Sequence, residues 1–560
     1  MSKAKRHSLP LLYRLWRGFF RFLSSIWFRE INLVDDEYIA EEGGVMFVTW
    51  HPNGLIDPML LTAMLPRKLT TVVQSPFFRI PFVGLLFRSA GMIPLGSASK
   101  VAQQIGLSKS NAQIITSLAE ELAHGGQILV FPEEDSHISS TVQRIRSGAA
   151  RIILEASRIA TTNNLPQPRI IPVGLHYSAS REFRERAAIV LEREMHIPDP
   201  PTFRQSSPPS TFSHLSVPYA AGIDPTQQHN EDLEHQLEGS TTEDVRWIEE
   251  MTKAIGVELQ RANLAKTTWE ERTLIWKGRG LVQAEKQRQY GQKIERTSYA
   301  ESVLAARRLR AGWEFMLLHE RETADRLSSA CEQHFHELSR LNITPHDVDS
   351  RPPELTQMQF LRVIGWWLWS VVWMFGLVTW GAIIGSYVPY KSIALLNRFS
   401  NQLKVKESFF GSIKVMISVI IFPLWWTFLS ATAVWFLLDN TSPVYLTLSA
   451  HQVLKHVTQW PSAGIFIFFM VFWPLTARAQ MKLFARCVRS TRSIKQWFAW
   501  RDASKNWQEL ASAQHILAAE LVNLGAGLVL PGDKDWQEPA TGQDDVTAVL
   551  RRQQARSDFA

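Results

Sequence analysis

A histidine and an aspartate six residues apart, His51 and Asp57, first suggest chemistry in this 560-residue sequence. They lie in the stretch VTWHPNGLIDPMLL. On one helix, side chains six residues apart point about 240° away from each other and do not meet. Pro52, Asn53 and Gly54, however, suit successive positions of a reverse turn. We therefore predict that His51 ends a strand, that Asp57 begins a helix, and that the turn brings the two side chains together.

Such a pair would make His51 a general base. A carboxylate on one imidazole nitrogen fixes the tautomer and stabilises the imidazolium, while the other nitrogen takes the proton. The sequence has no nucleophile-elbow pattern, so the base would activate a substrate hydroxyl directly. Asp57 followed by Pro58 also fits an N-cap with proline at the first helical position. Taken alone, the pair therefore fits a polar turn with an N-capping aspartate just as well.

Three further stretches carry polar and basic residues that could bind a substrate: FFRIPFVGLLFRSAGMIPLG, LVFPEEDSH and IRSGAARI. The last one combines a basic residue with the amides of a predicted helix start, which is a natural site for phosphate or another anion. The candidate substrate-binding residues are Asn53, Gly54, Arg79, Arg88, Pro132, Glu133, Ser136, Arg146, Ser147 and Gly148. We predict no metal site, because the His- and Cys-containing stretch CEQHFHELSRLNITPH has no ligand spacing that fits one.

The candidate residues fall in a region that alternates strand-like and helical patterns. Between residues 44 and 195, apolar runs predict the strands GVMFVTW, TTVVQS, GQILVF, RIIPVGLHY and AAIVLE. Helical patterns lie near residues 100–123 and 148–162. This alternation predicts an α/β domain with a central mixed sheet flanked by helices. His51 then lies at the carboxyl end of a strand, where ligands bind in open α/β sheets.

The basic excess of the chain is confined to its N-terminus. Seven basic residues precede the first acidic residue, Glu30, and they equal the whole net charge of +7. Three of them, at i, i+3 and i+7, oppose an apolar face formed by Leu12, Leu15, Phe19, Leu23 and Ile26. This pattern predicts an amphipathic helix on an anionic membrane surface; the alternative is a helix that packs on the protein's own core. Nucleic-acid binding is disfavoured, because the charge lies on an apolar-faced helix.

Three apolar segments follow in the C-terminal half. Residues 364–388 and 415–438 are each long enough to span a bilayer, whereas residues 463–475 are short and end at a proline. Basic residues crowd the loop before residue 415 and the tail after residue 475, but only Lys455 lies between the second and third segments. The positive-inside rule therefore predicts a hairpin of these two segments with its loop outside, a re-entrant or interfacial first segment, and a cytoplasmic catalytic domain.

We expect six parts along the chain. They are an amphipathic membrane-surface helix (1–29), a catalytic domain (30–200), a polar linker or flap (201–245), a charged helical region (246–360), membrane-embedded helices (361–480) and a polar C-terminal tail (481–560). Cys331 and Cys487 are the only cysteines and lie far apart, so we expect no disulfide framework and a reducing setting for the soluble part.

Taken in order, the motifs resemble those of the glycerolipid acyltransferase superfamily, which includes glycerol-3-phosphate and lysophosphatidic acid acyltransferases. The family's first motif is a histidine, four residues and an aspartate; the five intervening residues here resemble a subgroup with H-P-N or H-A-N signatures. AGMIPLGS corresponds to the second motif, FPEE to the third, Phe-Pro-Glu-Gly, and IIPVGLHY to the fourth. IRSGAARI is similar to the family's basic residue followed by Gly-Ala-Ala-Arg.

The resemblance implies a role for each matching residue. His51 is the general base on the acceptor hydroxyl, and Asp57 orients it. Glu133 helps to bind the acceptor, and Arg146 contacts its phosphate. Ser97 stands where the second motif has a phosphate-binding arginine, which leaves Arg79 or Arg88 as the substitute. Pro172 and Val173 line the acyl pocket, and Glu134 replaces the glycine of the third motif.

The implied reaction is transfer of a fatty acyl group from acyl-CoA or acyl-ACP to a hydroxyl of glycerol-3-phosphate or 1-acylglycerol-3-phosphate, in phospholipid synthesis. The expected partners are the lipid bilayer, the acceptor and the acyl carrier, with no nucleic acid and no cofactor or metal. The expected location is a membrane, the inner or plasma membrane in a bacterium. The alternatives are another lysophospholipid or glycolipid acceptor, or a non-catalytic lipid-binding scaffold.

Overall fold

A computed structural model describes most of the chain, in two compact units. The described residues are 10–39, 43–74, 92–95, 111–134, 136–137, 139–178, 183–201, 241–263, 268–290, 298–349, 357–374, 376–402, 410–439, 441–450, 456, 460–502, 506–537 and 549–552. The first unit comprises Met1–Trp269, Ser298–Leu304 and Glu538–Ala548; the second comprises Glu270–Thr297, Ala305–Gln537 and Val549–Ala560.

The first unit is built on a seven-stranded mixed sheet with flanking helices. Its elements are α1 (Leu11–Trp27), β1 (Phe28–Val34), a 3-10 helix (Asp36–Tyr38), β2 (Val45–Thr49), α2 (Ile56–Met64), β3 (Leu69–Gln74), β4 (Ile93–Leu95), α3 (Asn111–Ala123), β5 (Gln127–Val130), α4 (Gly148–Thr162), β6 (Arg169–Tyr177), β7 (Glu185–Leu191) and α5 (Thr242–Asn263). The strand order is β1-β7-β6-β2-β5-β3-β4. The predicted α/β class and mixed sheet are confirmed.

The sheet is parallel except between β6 and β7, which run antiparallel. All five predicted strands are present, and the helical pattern at 148–162 is α4. Two strands escaped the sequence analysis. β1 directly follows an amphipathic helix and gains its partner, β7, only from a distant part of the chain. β4 has only three residues, too few for a periodic pattern.

The strand that precedes His51 is the centre of this sheet. β2 lies between β5 and β6, and all five of its residues are buried. Helix α5 covers the sheet through an apolar face that joins the main core: Trp247, Ile248, Met251, Ile255 and Leu259. At the end of α5 the Asn263 side chain accepts a hydrogen bond from the Leu175 N–H of β6, at 2.9 Å. This bond fixes α5 to the strand beside β2.

Helix α1 packs on the first unit through one face and leaves another exposed. Arg17 Nη1 and Arg21 Nε each donate to a backbone carbonyl near the C-terminal end of α2, at 2.8 Å. The Leu69 N–H donates to the buried Tyr13 hydroxyl, at 2.9 Å. The alternative of packing on the protein's own core is therefore correct for this face. Several apolar residues stay exposed, among them Leu12, Leu15 and Ile26, and the membrane-surface interpretation stays a prediction for them.

The second unit is helical. Its described helices are α6 (Trp269–Tyr290), α7 (Tyr299–His319), α8 (Arg321–Arg340), α9 (Pro345–Asp349), α10 (Gln357–Met374), α11 (Leu377–Gln402), α12 (Phe410–Leu438), α13 (Pro443–Ala450), α14 (Ser462–Asp502) and α15 (Trp507–Ala526); α6 and α7 each carry residues of both units at one end. Among the described helices, two are long and apolar enough to cross a membrane, Phe410–Leu438 and Ser462–Ala499.

The structure changes the bounds of two apolar segments. The third segment does not end at its proline, because Pro474 lies inside the 41-residue α14. The first segment, which was expected to be re-entrant or interfacial, comprises the end of α10 and the beginning of α11, separated near Gly376. Neither α10 nor α11 is among the helices long and apolar enough to span. The orientation of the segments stays a prediction.

Candidate active site

The turn between His51 and Asp57 brings their side chains into contact. Gly54 has a φ of +51°, a left-handed conformation that glycine adopts without strain, and the Ile56 N–H donates to the Asn53 carbonyl at 3.1 Å. The chain thereby reverses from the end of β2 into α2. His51 Nδ1 lies 2.9 Å from Asp57 Oδ2. The geometry predicted from the sequence is the one that the structure has.

Asp57 is not the N-cap of its helix, and this part of the prediction was wrong. The N-cap position is Leu55, and Asp57 lies inside the first turn of α2. Its fully buried carboxylate points back at the turn, where Oδ2 also accepts the Asn53 N–H at 2.8 Å. The helix start therefore presents the carboxylate to His51, and the helix dipole favours its negative charge there.

Tyr177 holds the second carboxylate oxygen of this pair. Tyr177 is the last residue of β6, the strand beside β2, and its hydroxyl donates to Asp57 Oδ1 at 2.6 Å. The Asn53 side chain hydrogen-bonds the same hydroxyl. Burial, and then the nearby Asp57 carboxylate, raise the pKa of the Tyr177 hydroxyl well above its usual range, so the group stays protonated and donates. Each oxygen of Asp57 is thus fixed by donors.

The other imidazole nitrogen of His51, Nε2, has no hydrogen-bond partner among the described residues. The Nδ1–H donates to Asp57, which places the lone pair on Nε2. The ring stacks on Phe131, with centroids 4.0 Å apart, and the side chain is only 15% exposed. The imidazole is therefore held in one orientation by Asp57 and Phe131.

Glu133 ties the backbone of His51 to the loop that follows β5. The His51 N–H donates to Glu133 Oε2 at 3.1 Å, and the Gln143 N–H donates to Oε1 at 2.6 Å. His137 Nε2 lies 2.8 Å from the same Oε1. Because the Ser139 N–H donates to His137 Nδ1 at 3.2 Å, the proton of this ring is on Nε2 and is donated to Glu133. This carboxylate therefore holds the backbone of His51, the backbone of Gln143 and the ring of His137 together.

The helix start predicted to bind an anion lies next to this loop. The Arg146 N–H donates to the Pro132 carbonyl at 2.8 Å, and α4 begins two residues later at Gly148. Ser147 forms no side-chain cap, and a Cβ on Gly148 would meet no atom within 4 Å. Arg146 is exposed, with Nε 3.9 Å from Glu134 Oε2. The exposed Arg146 guanidinium and the amides at the start of α4 therefore lie close together, next to the Glu134 carboxylate.

Other candidate residues are distributed as follows. Ser136 is buried in the loop after β5. Arg79, Arg88 and Ser97 lie outside the described residues. Pro172 and Val173 form part of β6, paired with β2. Arg184, directly before β7, donates from Nη1 to carbonyls at the C-terminal end of α1, including those of Ser25 and Phe28 at 3.0 and 3.1 Å.

Sequence reasoning missed three residues that build the site: Phe131, His137 and Tyr177. Phe131 and His137 both lie in the motif LVFPEEDSH, where their types alone could have drawn attention. Tyr177 gave no local pattern, because it is 120 residues from Asp57 and meets it only through the pairing of β6 with β2. The described residues contain no group of three His, Cys, Asp or Glu side chains that could hold a metal ion.

Comparison with known proteins bears on the segment that carries this site. Residues 30–176 match the family model described as Acyltransferase. Among solved structures, the chain is similar to the 1-acyl-sn-glycerophosphate (LPA) acyltransferase PlsC from Thermotoga maritima, with 13% identity, coverage of 33% of this chain and 68% of that chain, and a TM-score of 0.25. A search of curated proteins finds no match. The family match covers His51, Asp57 and Glu133.

Proposed function

We propose that this chain, whose residues 30–176 form a domain of the glycerolipid acyltransferase superfamily, is a membrane-bound O-acyltransferase. The donor is a thioester, acyl-CoA or acyl-ACP, and the acceptor is a hydroxyl of glycerol-3-phosphate or 1-acylglycerol-3-phosphate. One observation carries the proposal: a buried Asp57 carboxylate lies 2.9 Å from His51 Nδ1, and Nε2 has no hydrogen-bond partner among the described residues. That is the arrangement of a general base poised for a hydroxyl.

The reaction would begin with proton transfer. His51 Nε2 takes the acceptor's hydroxyl proton as the oxygen attacks the thioester carbonyl, and the tetrahedral intermediate then expels the thiolate. The imidazolium that forms is stabilised by the Asp57 carboxylate. The same proton can then pass from Nε2 to the leaving sulfur, so that the base is regenerated and the products are an ester and a thiol.

The oxyanion of the intermediate needs a hydrogen-bond donor near His51. Pro52 has no N–H, and the Asn53 N–H is already donated to Asp57 Oδ2. The Gly54 N–H has no acceptor among the described residues. We therefore assign the oxyanion contact to the Gly54 N–H.

The phosphate of the acceptor would bind at the start of α4. Arg146 and the helix-start amides near Ser147 and Gly148 supply positive charge and N–H donors in one place. The two long apolar helices α12 and α14 support attachment of the chain to a membrane by their length and composition. An acceptor or product with acyl chains would reside in that membrane.

The test is an acyl-transfer assay with the purified full chain and labelled acyl-CoA. His51→Ala should abolish transfer to glycerol-3-phosphate or its 1-acyl derivative. The matched control is His124→Ala, because His124 is an exposed histidine whose Nδ1 contacts only a helix carbonyl, at 2.8 Å. Transfer retained by the folded His51→Ala variant would overturn the proposal, and binding of acyl-CoA without turnover by the wild type would indicate a scaffold.

One observation favours a second acceptor class within the same chemistry. The Glu134 carboxylate lies 3.9 Å from the Arg146 guanidinium, and it would repel a dianionic phosphate. An acceptor whose phosphate is esterified, such as another lysophospholipid, or a glycolipid without phosphate, would be repelled less. A screen of acceptors with labelled acyl-CoA, followed by mass analysis of the product, separates the two classes.

A further inference from the structure

A cleft in the second unit is lined by two arginines and two tryptophans and could bind an anion. It lies between α10 and α14 and is lined by Arg362, Gly365, Trp366 and Trp369 of α10 and Arg486 of α14. Its volume is about 560 Å³. Ligand sites in proteins typically occupy about 300–1,000 Å³, so the cleft is large enough for a phospholipid headgroup with the first carbons of its chains.

Arg486 is held against two indole rings. Its guanidinium carbon lies 4.2 Å from the Trp366 ring centroid and 5.2 Å from that of Trp369. Stacking fixes the plane of the guanidinium and leaves its N–H groups at the edge able to donate. No described residue accepts a hydrogen bond from Arg486 or Arg362. Two arginines with N–H donors therefore line the cleft. The planar guanidinium can donate two parallel hydrogen bonds to a phosphate.

The walls of the cleft are apolar and exposed. Trp366 and Trp369 are 46% and 43% exposed, and Trp373, one turn further along α10, is 49% exposed. A Cβ on Gly365 would meet no atom within 4 Å, so the space next to this lining residue is empty of other described atoms. Tryptophans beside basic residues are typical of the boundary between lipid headgroups and hydrocarbon. The surface thus combines groups for a charged head with groups for an acyl chain.

The surrounding charge points the same way. Between Asp439 and Asp502 the sequence contains no further acidic residue. Within that interval, α14 has an apolar first half and then a row of basic residues: Arg478, Lys482, Arg486, Arg489 and Arg492. The change occurs within one helix, so Arg486 lies beyond the apolar half, where headgroups would be found if that half is embedded.

We propose that this cleft binds the phosphate headgroup of an anionic phospholipid, with Arg362 and Arg486 on the phosphate and the exposed indoles of Trp366 and Trp369 along the acyl chains. The proposal rests on the membrane attachment in the proposed function and is independent of the acyl-transfer chemistry. The lipid is a ligand here, distinct from the acceptor at His51.

The test is lipid binding by native mass spectrometry of the purified full chain in a mild detergent. Dioleoyl phosphatidylglycerol is the anionic probe, and dioleoyl phosphatidylcholine is the neutral comparison; neither is the product of acyl transfer to glycerol-3-phosphate or 1-acylglycerol-3-phosphate. The wild type should bind one phosphatidylglycerol about tenfold more tightly than phosphatidylcholine. Arg486→Gln should remove most of this preference, since a charge-assisted contact contributes on the order of a tenfold change in affinity.

Two variants separate a built site from general attraction. Gly365→Leu keeps both arginines but fills the cleft, and it should weaken phosphatidylglycerol binding as much as Arg486→Gln does. Arg489→Gln makes the same change of charge one turn nearer the C-terminus, at an exposed residue outside the cleft, and should stay within about twofold of wild type. Equal weakening by Arg486→Gln and Arg489→Gln, with no effect of Gly365→Leu, would overturn the proposal.

Displacement of phosphatidylglycerol by excess inorganic phosphate would also overturn it, because the cleft would then recognise free phosphate and not a lipid. Acyl transfer is measured separately on the same preparations. The His51→Ala variant should keep the lipid preference of the wild type. Loss of transfer in that variant together with retained lipid binding keeps the outcomes of the two proposals distinct.

Discussion

Replacing Asp57 by asparagine removes the negative charge beside His51 and changes little else. In the wild type, two donors converge on Oδ2, the His51 Nδ1–H at 2.9 Å and the Asn53 N–H at 2.8 Å, while the Tyr177 hydroxyl donates to Oδ1 at 2.6 Å. The side-chain amide of Asp57→Asn can have two orientations, with its oxygen at the position of either Oδ1 or Oδ2. The surrounding donors determine which orientation is the more stable.

If the amide nitrogen of Asp57→Asn faced the Oδ2 side, it would oppose the fixed Asn53 N–H, donor against donor. If the amide oxygen takes that side, it still accepts from His51 and Asn53. The nitrogen then faces the Tyr177 hydroxyl, which can rotate and accept. The second orientation is therefore the stable one, and it keeps the His51 proton on Nδ1 and the lone pair on Nε2.

What the variant loses is the attraction between the carboxylate and the imidazolium formed in the transition state. For charge centres about 4 Å apart and an effective dielectric constant of about 20, that attraction is about 4 kcal/mol. Each 1.4 kcal/mol corresponds to about a tenfold change in rate, so kcat/KM should fall roughly a thousandfold. In a Ser-His-Asp triad the same substitution also produces the wrong tautomer and lowers kcat by about 10⁴-fold.

The assay is steady-state transfer from labelled acyl-CoA, with thermal unfolding of each variant as the check on folding. Asp57→Asn should retain activity above that of His51→Ala, because the base is still correctly protonated. Adding Tyr177→Phe to Asp57→Asn removes the hydroxyl that must rotate, and it should change kcat/KM of that variant by less than threefold. A folded Asp57→Asn variant that loses less than tenfold would refute the reasoning, since the charge would then not act in the transition state.

We make three further predictions for residues outside the pair of His51 and Asp57. Glu134 has a φ of +59°, so Glu134→Gly should raise the free energy of unfolding by about 1 kcal/mol in thermal or denaturant unfolding, and a decrease would contradict the inferred strain. Burial raises the pKa of the Cys331 thiol from 9.0 to about 11, so the free energy of unfolding should decrease by up to roughly 2–3 kcal/mol as the pH rises from 9 to 11. Cys331→Ala should make the free energy of unfolding less dependent on pH in this range. At pH 8 a maleimide should label the less buried Cys487 before Cys331. Arg21→Gln removes the bond to the end of α2 and should lower the free energy of unfolding by about 1 kcal/mol. Arg14→Gln should leave it unchanged, because Arg14 is exposed and its side chain forms no hydrogen bond with a described residue.

The strands and the chemistry of the first turn were predictable because their causes are local. An apolar run of five residues that ends at His51 must be a buried strand, and Pro-Asn-Gly must turn. Helix α4 was predicted at its observed bounds, because its apolar spacing follows the helical period over fifteen residues. The family motifs lie on these elements, so the pair of His51 and Asp57 was found before the fold was known.

The helix boundaries in the apolar half were less predictable. Pro474 suggested the end of a segment, yet α14 continues through it. A proline removes one hydrogen bond and tilts the helix, and neighbouring helices can compensate for both. The amphipathic pattern of α1 likewise fitted both a membrane surface and a protein surface, and only the carbonyl acceptors on α2 decided where Arg17 and Arg21 point.

The sequence by itself determined the mixed α/β class, the histidine at the strand end and the carboxylate that meets it, because residues close in sequence carry that information. Only the tertiary structure shows that the Asp57 carboxylate contacts His51 and does not cap its helix. It also shows that Tyr177 of β6 donates to Asp57, and that Glu133, in the loop after β5, accepts the His51 N–H. These partners come from strands adjacent to β2 in space but distant along the chain. Strand order brings them together, and no local periodicity encodes strand order.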